Sequence, residues 1–473
     1  MMYINGEWLE TNQVFEVNNP ATGEKAGTVY FAGEEETNLA IQAAEKAFPQ
    51  WAGLTAEHRS SYLWRIVEKL GEKREEIAQI ITKEMGKTIH HARQEVGSAI
   101  AFFQWYAEEA RRIYGDIISP SIPNKRIQVI RQPVGVVGAI TPWNFPLSMA
   151  ARKLGPALAT GCTVILRPSR EAPLSSVALF KIFDEIGLPK GVANLVIGQS
   201  GPIVNTIMNS SIVKKVSFTG STEVGKILIG QSAKTVKRVS MELGGHAPFI
   251  VFDDADIDLA VEGLIKSKFG SNGQQCICPN RIYVQDKVYE EFAEKLKEKV
   301  QTIKVGNGLD EQNEMGPLVN AGAIEKVQEQ VDDAVQLGAC ILNGGKRLSD
   351  GSYSIGNFYD PTVLSNVTDN MLITREETFG PVIPLLRFSS EEEVIERANA
   401  IEYGLASYFY TKDLSRKYRV SEQLEYGMVG VNDAIPFAVQ APFGGVKESG
   451  MGREGGKYGL DDYLDTKMIS VQI

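Results

Sequence analysis

Cys276 stands in the run FGSNGQQCICPNRIYV, after a Gly-containing loop and just before a strand-like segment. A thiolate is the reactive form of cysteine, and a free thiol titrates near about 8.5. A lone cysteine more often fills a core, but the polar flank Asn272–Gln275 argues against a simple core residue. Cys278 follows two residues later, a spacing that does not fit a four-ligand zinc site. His58, His90, His91 and His246 add no ligand pattern, so no metal is expected. Cys162 and Cys340 lie in apolar runs and are expected in the core. Glu242, in MELGGHAPF, ends an apolar strand-like run beside two glycines. It is either a solvated or salt-bridged carboxylate or a general base in an apolar pocket. Asn144, in TPWNFPLSM, stands at a strand-to-helix junction. There it either caps the helix or donates to a developing oxyanion. In FTGSTEVG, Gly220 follows a strand-like run and Gly225 falls inside the next helix. That pattern suits an ordinary turn or a phosphate at a helix N-terminus.

The elements that must position these groups follow from periodicity. From Val134 onward, VGVVGAIT, CTVILRP, ANLVIG, KKVSFTG and RVSMEL alternate with helical stretches. Strands recurring with helices between them predict βαβ units and a parallel, doubly wound sheet, with ligands beyond the carboxyl ends of its strands. After Gly245 the alternation resumes with APFIVF, NRIYV and a long charged helix, predicting a second α/β domain. Residues 35–115 carry helical spacing. DIISPSIPNKRIQVIRQP predicts an exposed β-ribbon, and the C-terminal run a strand that pairs with another subunit. The 473 residues, 43% hydrophobic and 23% charged, are ordinary for a globular chain and suffice for about two to four domains. A net charge of −10 supplies no basic footprint, which sets nucleic acid aside. No apolar run reaches the roughly 18 to 20 residues needed to span a bilayer. Residues 1–8 do not form a secretory signal, and four cysteines form no disulfide framework. A cytoplasmic location is expected.

Taken together, PWNFP, GPALATGC, FTGSTEVG, MELGG, GQQC, EETFGPV and PFGGVKESGMGREGG resemble the aldehyde dehydrogenase superfamily in order and spacing. The nearest branch is that of the succinate-semialdehyde dehydrogenases. The resemblance implies two doubly wound parallel-sheet domains with a small β oligomerisation element. Residues 1–118 and 133–245 would bind the dinucleotide, 246–440 would be catalytic, and 119–132 with 441–473 would form the ribbon and C-terminal segment. It implies Cys276 as nucleophile, forming a thiohemiacetal and then a thioester as hydride leaves for the nicotinamide. Asn144 and the Cys276 N–H would hold the oxyanion, Glu242 would activate water, and Lys153 would lie near the catalytic site. Trp143, Gly220, Ser221, Gly225, Leu243, Glu377 and Phe379 would meet the cofactor. Cys278 would be a reversible disulfide partner, as in some related enzymes. The implied oligomer is a homodimer or homotetramer.

Arg167, Ser169 and Arg170 follow the strand that meets the adenine ribose in such proteins. Arginine suits a 2′-phosphate where a carboxylate suits a free hydroxyl, so NADP+ is expected in preference to NAD+. For the substrate, Arg152 matches one of two carboxylate-binding arginines of the branch. The second position, six residues before the nucleophile, is Gly270. A broad aldehyde range is therefore expected, extending to aromatic or long-chain aldehydes, with Phe437, Phe103 and Trp105 as pocket walls. Succinate semialdehyde is the alternative. A CoA-acylating enzyme and an inactive structural relative rank below both.

Overall fold

The computed structural model describes all 473 residues. The run VVGAI becomes the strand Val136–Ile140, buried at every position. Such a strand needs cover on both faces, and flanking helices supply it. It lies between Thr163–Arg167 and Val213–Thr219, parallel to both. The sheet continues to Ala193–Leu195 on one side and Arg238–Glu242 on the other. Chain order therefore reverses between Val136–Ile140 and Val213–Thr219, which opens a crevice beyond their carboxyl ends. The antiparallel strands Met2–Ile4 and Glu7–Leu9 extend one edge. Gly450–Met451 closes the other, antiparallel to Arg238–Glu242. The Gly-rich C-terminal stretch thus returns to the first sheet beside Glu242.

The helical periodicity of residues 35–115 resolves into Glu34–Ala52, Ala56–Glu72, Arg74–Met85 and Ile89–Glu109. The last packs on Pro146–Thr160, a helix buried along its whole length. Proline suits a first turn, and Gly161 ends the helix at φ 96°, a conformation that glycine adopts freely.

The second sheet runs Cys340–Asn343, Thr362–Ser365, Val382–Phe388, Pro279–Gln285, Ala247–Val251, Ala406–Tyr410, Met428–Val431. All are parallel except the first. Cys340, expected in the core, is exposed on that edge strand, whereas Cys162 is buried. A third sheet joins Leu464–Gln472, Lys125–Pro133 and Asp116–Ile118. The terminal strand pairs on one edge with its own chain's ribbon, from Leu464 opposite Pro133 to Gln472 opposite Lys125. Its outer edge stays open, and Ile117 and Met468 are exposed on this sheet. No helix is long and apolar enough to cross a membrane.

Candidate active site

Cys276 lies between the helix Ile257–Phe269 and the strand Pro279–Gln285. Its approach is a tight left-handed turn: Ser271 at φ 50°, Asn272 at 60° and Gly273 at 76°. Non-glycine residues rarely adopt such angles unless their surroundings enforce them. Here Asn272 Oδ1 accepts from the Gly316 N–H at 2.7 Å while its Nδ2 donates to the Pro317 carbonyl at 2.8 Å. Gln274 Oε1 accepts from the Val319 N–H at 3.0 Å. The Cys276 carbonyl packs on Gly245, where an added Cβ would approach it to 2.3 Å. The loop is pinned from three directions, so the sulfur has one place to be.

That place is the junction of two cavities. An outer one of about 450 Å³ and an inner one of about 380 Å³ share Cys276 and Met149 as walls. The inner cavity occupies the crevice at the order reversal. Pro142–Asn144 and Thr219–Ser221 enter it from the carboxyl ends of the first sheet; Gly244, Glu377, Thr378 and Phe379 face them. These opposing residues, like Cys276, precede their strands. The first sheet therefore obeys the carboxyl-end rule, and the second contributes its amino ends.

The inner cavity fits the nicotinamide end of a dinucleotide. Trp143 and Phe379 meet edge to face at 5.5 Å and form an aromatic wall. Glu377 Oε1 accepts from the Gly245 N–H at 3.2 Å, and burial pushes its carboxyl up to about 7. The Thr219 and Thr378 hydroxyls have no protein partner. Gly220 and Ser221 open the helix Thr222–Ser232, and Ser221 Oγ caps it by accepting from the Val224 N–H. Leu243 is a wall as expected, but Gly225 is not. A Cβ at Gly225 would come 2.4 Å from Leu243 Cδ2, so this glycine lets the helix pack closely on Leu243. Arg167, Ser169 and Arg170 lie outside the inner cavity, at and beyond the carboxyl end of Thr163–Arg167. Arg167 is buried, donates to Ser200 Oγ at 2.6 Å, and is lowered by burial to about 10. Arg170 is exposed; its Nε and Ser169 Oγ both donate to the Glu171 carboxylate.

Asn144 does not cap a helix. The residue at that position of Pro146–Thr160 is Phe145, without a side-chain bond. Asn144 Nδ2 instead donates to the Gln274 carbonyl at 3.0 Å, which leaves the second N–H of the same amide without a partner in the cavity that Cys276 also lines. Glu242 is buried, its Oε1 has no partner, and it makes no ion pair. Burial, and then the Glu454 carboxylate, push it up to about 8. Burial also pushes the Cys276 thiol upward, and Glu242 adds to the effect.

The Aldehyde dehydrogenase family model matches residues 8–469. The chain belongs to the aldehyde dehydrogenase family. It is 52% identical to the glutarate-semialdehyde dehydrogenase of Pseudomonas putida, covering 100% of this chain and 97% of that protein. It is 49% identical to the NADP(+) succinate-semialdehyde dehydrogenase of Escherichia coli, over 99% of this chain and 97% of that one. The crystal structure of succinate-semialdehyde dehydrogenase from Burkholderia pseudomallei superposes with a TM-score of 0.98 at 47% identity, covering 100% and 98% of the two chains.

Behind the reacting centre, this aldehyde dehydrogenase buries a charge cluster of which the sequence reading named only part. Lys153 Nζ donates to Glu454 Oε1 at 2.6 Å and to Ser217 Oγ at 3.1 Å, and it lines neither cavity. Burial opposes ionisation of Glu454, but Lys153 and then Arg152 outweigh it and hold the carboxyl below its ordinary range. The one available signal for Glu454 was an acid embedded in the Gly-rich run GMGREGG. Lys326, another wall of the inner cavity, gave none.

The outer cavity of the dehydrogenase is lined by Arg152, His91, Lys266, Phe145, Phe437 and Gly270, among others. Arg152 Nη1 and Nε have no hydrogen-bond partner, and the nearest carboxylate, Glu454, is 3.6 Å from Nη1. The guanidinium carbon lies 4.1 Å from the Phe443 ring centroid. Burial, with Lys87 adding, lowers His91 to about 4, so its imidazole is neutral at physiological pH. Two expected walls are absent. Phe103 is fully buried against Phe183 on another face of the helix, and Trp105, on the face of His91 and Ser98 but about two turns beyond Ser98, lines a different cavity. Cys278 is buried, with its thiol donating to the Lys268 carbonyl at 3.5 Å.

Proposed function

We propose that this chain oxidises a short aldehyde carrying a distal carboxylate, using NADP+ in preference to NAD+. The observation that carries the substrate class is Arg152: it is 4% exposed and its Nη1 and Nε lack acceptors. Glu454 balances part of its charge at 3.6 Å but leaves these donors unbonded, which is costly when buried, and an anionic tail entering the outer cavity adds a second partner for the guanidinium. The semialdehydes named for two relatives belong to this class. The proposal departs from the broader range expected from Gly270, because the cationic wall outweighs the missing second arginine. Phe145, Met149 and Phe437 favour the apolar or aromatic aldehyde as a second reading.

A kinetic panel separates them. Glutarate or succinate semialdehyde is expected to exceed hexanal and benzaldehyde in kcat/KM by at least about tenfold, the low end of a charge-assisted bond. Benzaldehyde ahead of both semialdehydes would favour the second reading. Gly270→Arg is expected to widen the margin by about five- to tenfold. Its backbone, at φ −54°, accepts any residue. The new Cβ meets Gln275 Nε2 at 2.8 Å, the movable end of a side chain.

Glu377, Trp143 and Phe379 would hold the nicotinamide riboside, Gly220 and Ser221 the pyrophosphate, and Ser169 and Arg170 the 2′-phosphate. NADP+ bound there supplies the hydride acceptor. Cys276 Sγ adds to the aldehyde carbon and yields its proton to Glu242. The free Asn144 N–H and the Cys276 N–H stabilise the oxygen of the thiohemiacetal. Once the thioester stands on Cys276 and Glu242 has released that proton to solvent, Glu242 takes a proton from the attacking water, the C–S bond breaks, and the acid leaves with the sulfur returned as thiolate. Glu454, kept ionised by Lys153 and Arg152, raises the basicity of Glu242. A CoA acceptor would need no such base.

Arg170→Glu is expected to move the NADP+/NAD+ ratio of kcat/KM toward NAD+ by about 100-fold, since it replaces attraction for a 2′-phosphate by repulsion. An unchanged ratio would remove Arg170 from the cofactor site. The open edge of Leu464–Gln472 and the exposed apolar side chains of its sheet suit a homodimer or homotetramer, which light scattering would identify.

A further inference from the structure

Lys87 and Glu95 form a buried ion pair outside the reacting groups named so far. Lys87 Nζ donates to Glu95 Oε2 at 2.5 Å and to the backbone carbonyl of Asn144 at 2.8 Å, and it sits 3.8 Å from the centroid of the Phe145 ring. Glu95 Oε1 accepts from the N–H groups of Leu147, at 2.9 Å, and Ser148, at 3.2 Å. Lys87 is 0% and Glu95 2% exposed.

Each bond lands on one short segment. The Asn144 carbonyl belongs to the residue whose side-chain amide is proposed above to hold the oxyanion, in the cavity that Cys276 also lines. The Leu147 and Ser148 N–H groups open the helix Pro146–Thr160, which has no side-chain cap of its own and carries Arg152 and Lys153. A carboxylate suits that positive end of the helix and satisfies donors otherwise orphaned. Neither charge touches the cofactor cavity, and Lys87 lines no wall of the outer one. Two charges withdrawn from water rarely stabilise a fold more than apolar groups of like volume would. What this pair achieves is directional: two fixed points, one before and one after Phe145, set the orientation of the Asn144 backbone. Displacing an oxyanion donor by about 1 Å is enough to cost about 100-fold in rate.

We propose that Lys87, through its pairing with Glu95, is a positioning residue that aims the Asn144 amide at the developing oxyanion. This rests on Cys276 and Asn144 acting as proposed above, and the test keeps the two apart. In Lys87→Met, the rapid-mixing rate of the first NADPH formed is expected to fall about 10- to 100-fold. The dissociation constant for NADP+ and the rate of Cys276 alkylation by iodoacetamide should each stay within twofold. Alkylation is a displacement that develops no oxyanion, so a general loss of structure would change its rate, through altered access to the thiol, while a misaimed amide would not. Asn144→Ala alone is expected to slow the first turnover at least as much, and the double variant no further, the non-additivity of residues acting as one unit. A first turnover within twofold of wild type in Lys87→Met, or additive losses, would overturn the proposal. An undiminished first turnover in Asn144→Ala would instead overturn the oxyanion assignment beneath it. Should Lys87→Met fail to fold, the isosteric Glu95→Gln carries the same expectations and the same refutation.

Discussion

Cys276→Ser is expected to lower kcat/KM for every aldehyde by at least about 10³-fold, with NADP+ affinity within twofold of wild type. The physical reason is the leaving and attacking ability of sulfur. The residue must add to a carbonyl while its proton goes to a carboxylate that titrates near 8. A thiol, even one raised by burial, is far closer to that base than an alcohol is. The acyl intermediate must then be released to water, and an ester is a poorer acyl donor than a thioester. Fold and cofactor site should survive. The loop is anchored by Asn272, Gln274 and Gly245 and not by the sulfur. Steady-state kinetics and cofactor titration on one preparation decide the matter. Oxidation of semialdehyde and apolar aldehydes at an undiminished rate would refute the covalent route.

The parallel sheets were readable in sequence because each buried strand is a continuous apolar run closed by a turn. VVGAI and APFIV are of this kind, and both strands are buried throughout. The helix Thr222–Ser232 was equally plain, since Ser221 announces its cap. Cys276 and Glu242 stood out locally as polar or ionisable residues beside glycines, but it was the ordered set of motifs resembling aldehyde dehydrogenases that gave them their roles. What lay beyond reach was contact between distant segments. Glu454 meets Lys153 across 301 positions of sequence, and Lys87 reaches Asn144 across 57; no local pattern encodes either. Phe103 and Trp105 were misassigned for a related reason. Aromatic type reports burial, but only the packing of Ile89–Glu109 on Pro146–Thr160 decides which flank faces a cavity. Cys340 shows the converse: an apolar run on a sheet edge looks like a core strand until its neighbours are known.

Glu242→Gln should separate the two halves of the cycle. The first turnover is expected to slow, because the Cys276 proton must then go to solvent, yet still to yield about one equivalent of NADPH per site before a steady rate about 10²- to 10³-fold below wild type, the range of a lost general base. Glutamine keeps the shape and the buried polar atom but cannot take a proton from water, so the thioester persists and intact-mass spectrometry should find the acyl group on Cys276. The pH dependence carries the same assignment. Burial raises Glu242 to about 8, with Glu454 contributing, so its basic form is scarce below that pH and gains population above it. The deacylation-limited rate of the wild type should therefore rise through neutrality and level above about 8, and the residual rate of Glu242→Gln should lack that limb. Glu454→Gln supplies the sign test. It removes the anion that makes ionisation of Glu242 harder and frees Lys153 and Arg152 to favour it. The rising limb must then move to lower pH. A limb that stays in place or moves toward higher pH would mean that the group titrating in the rate is not Glu242.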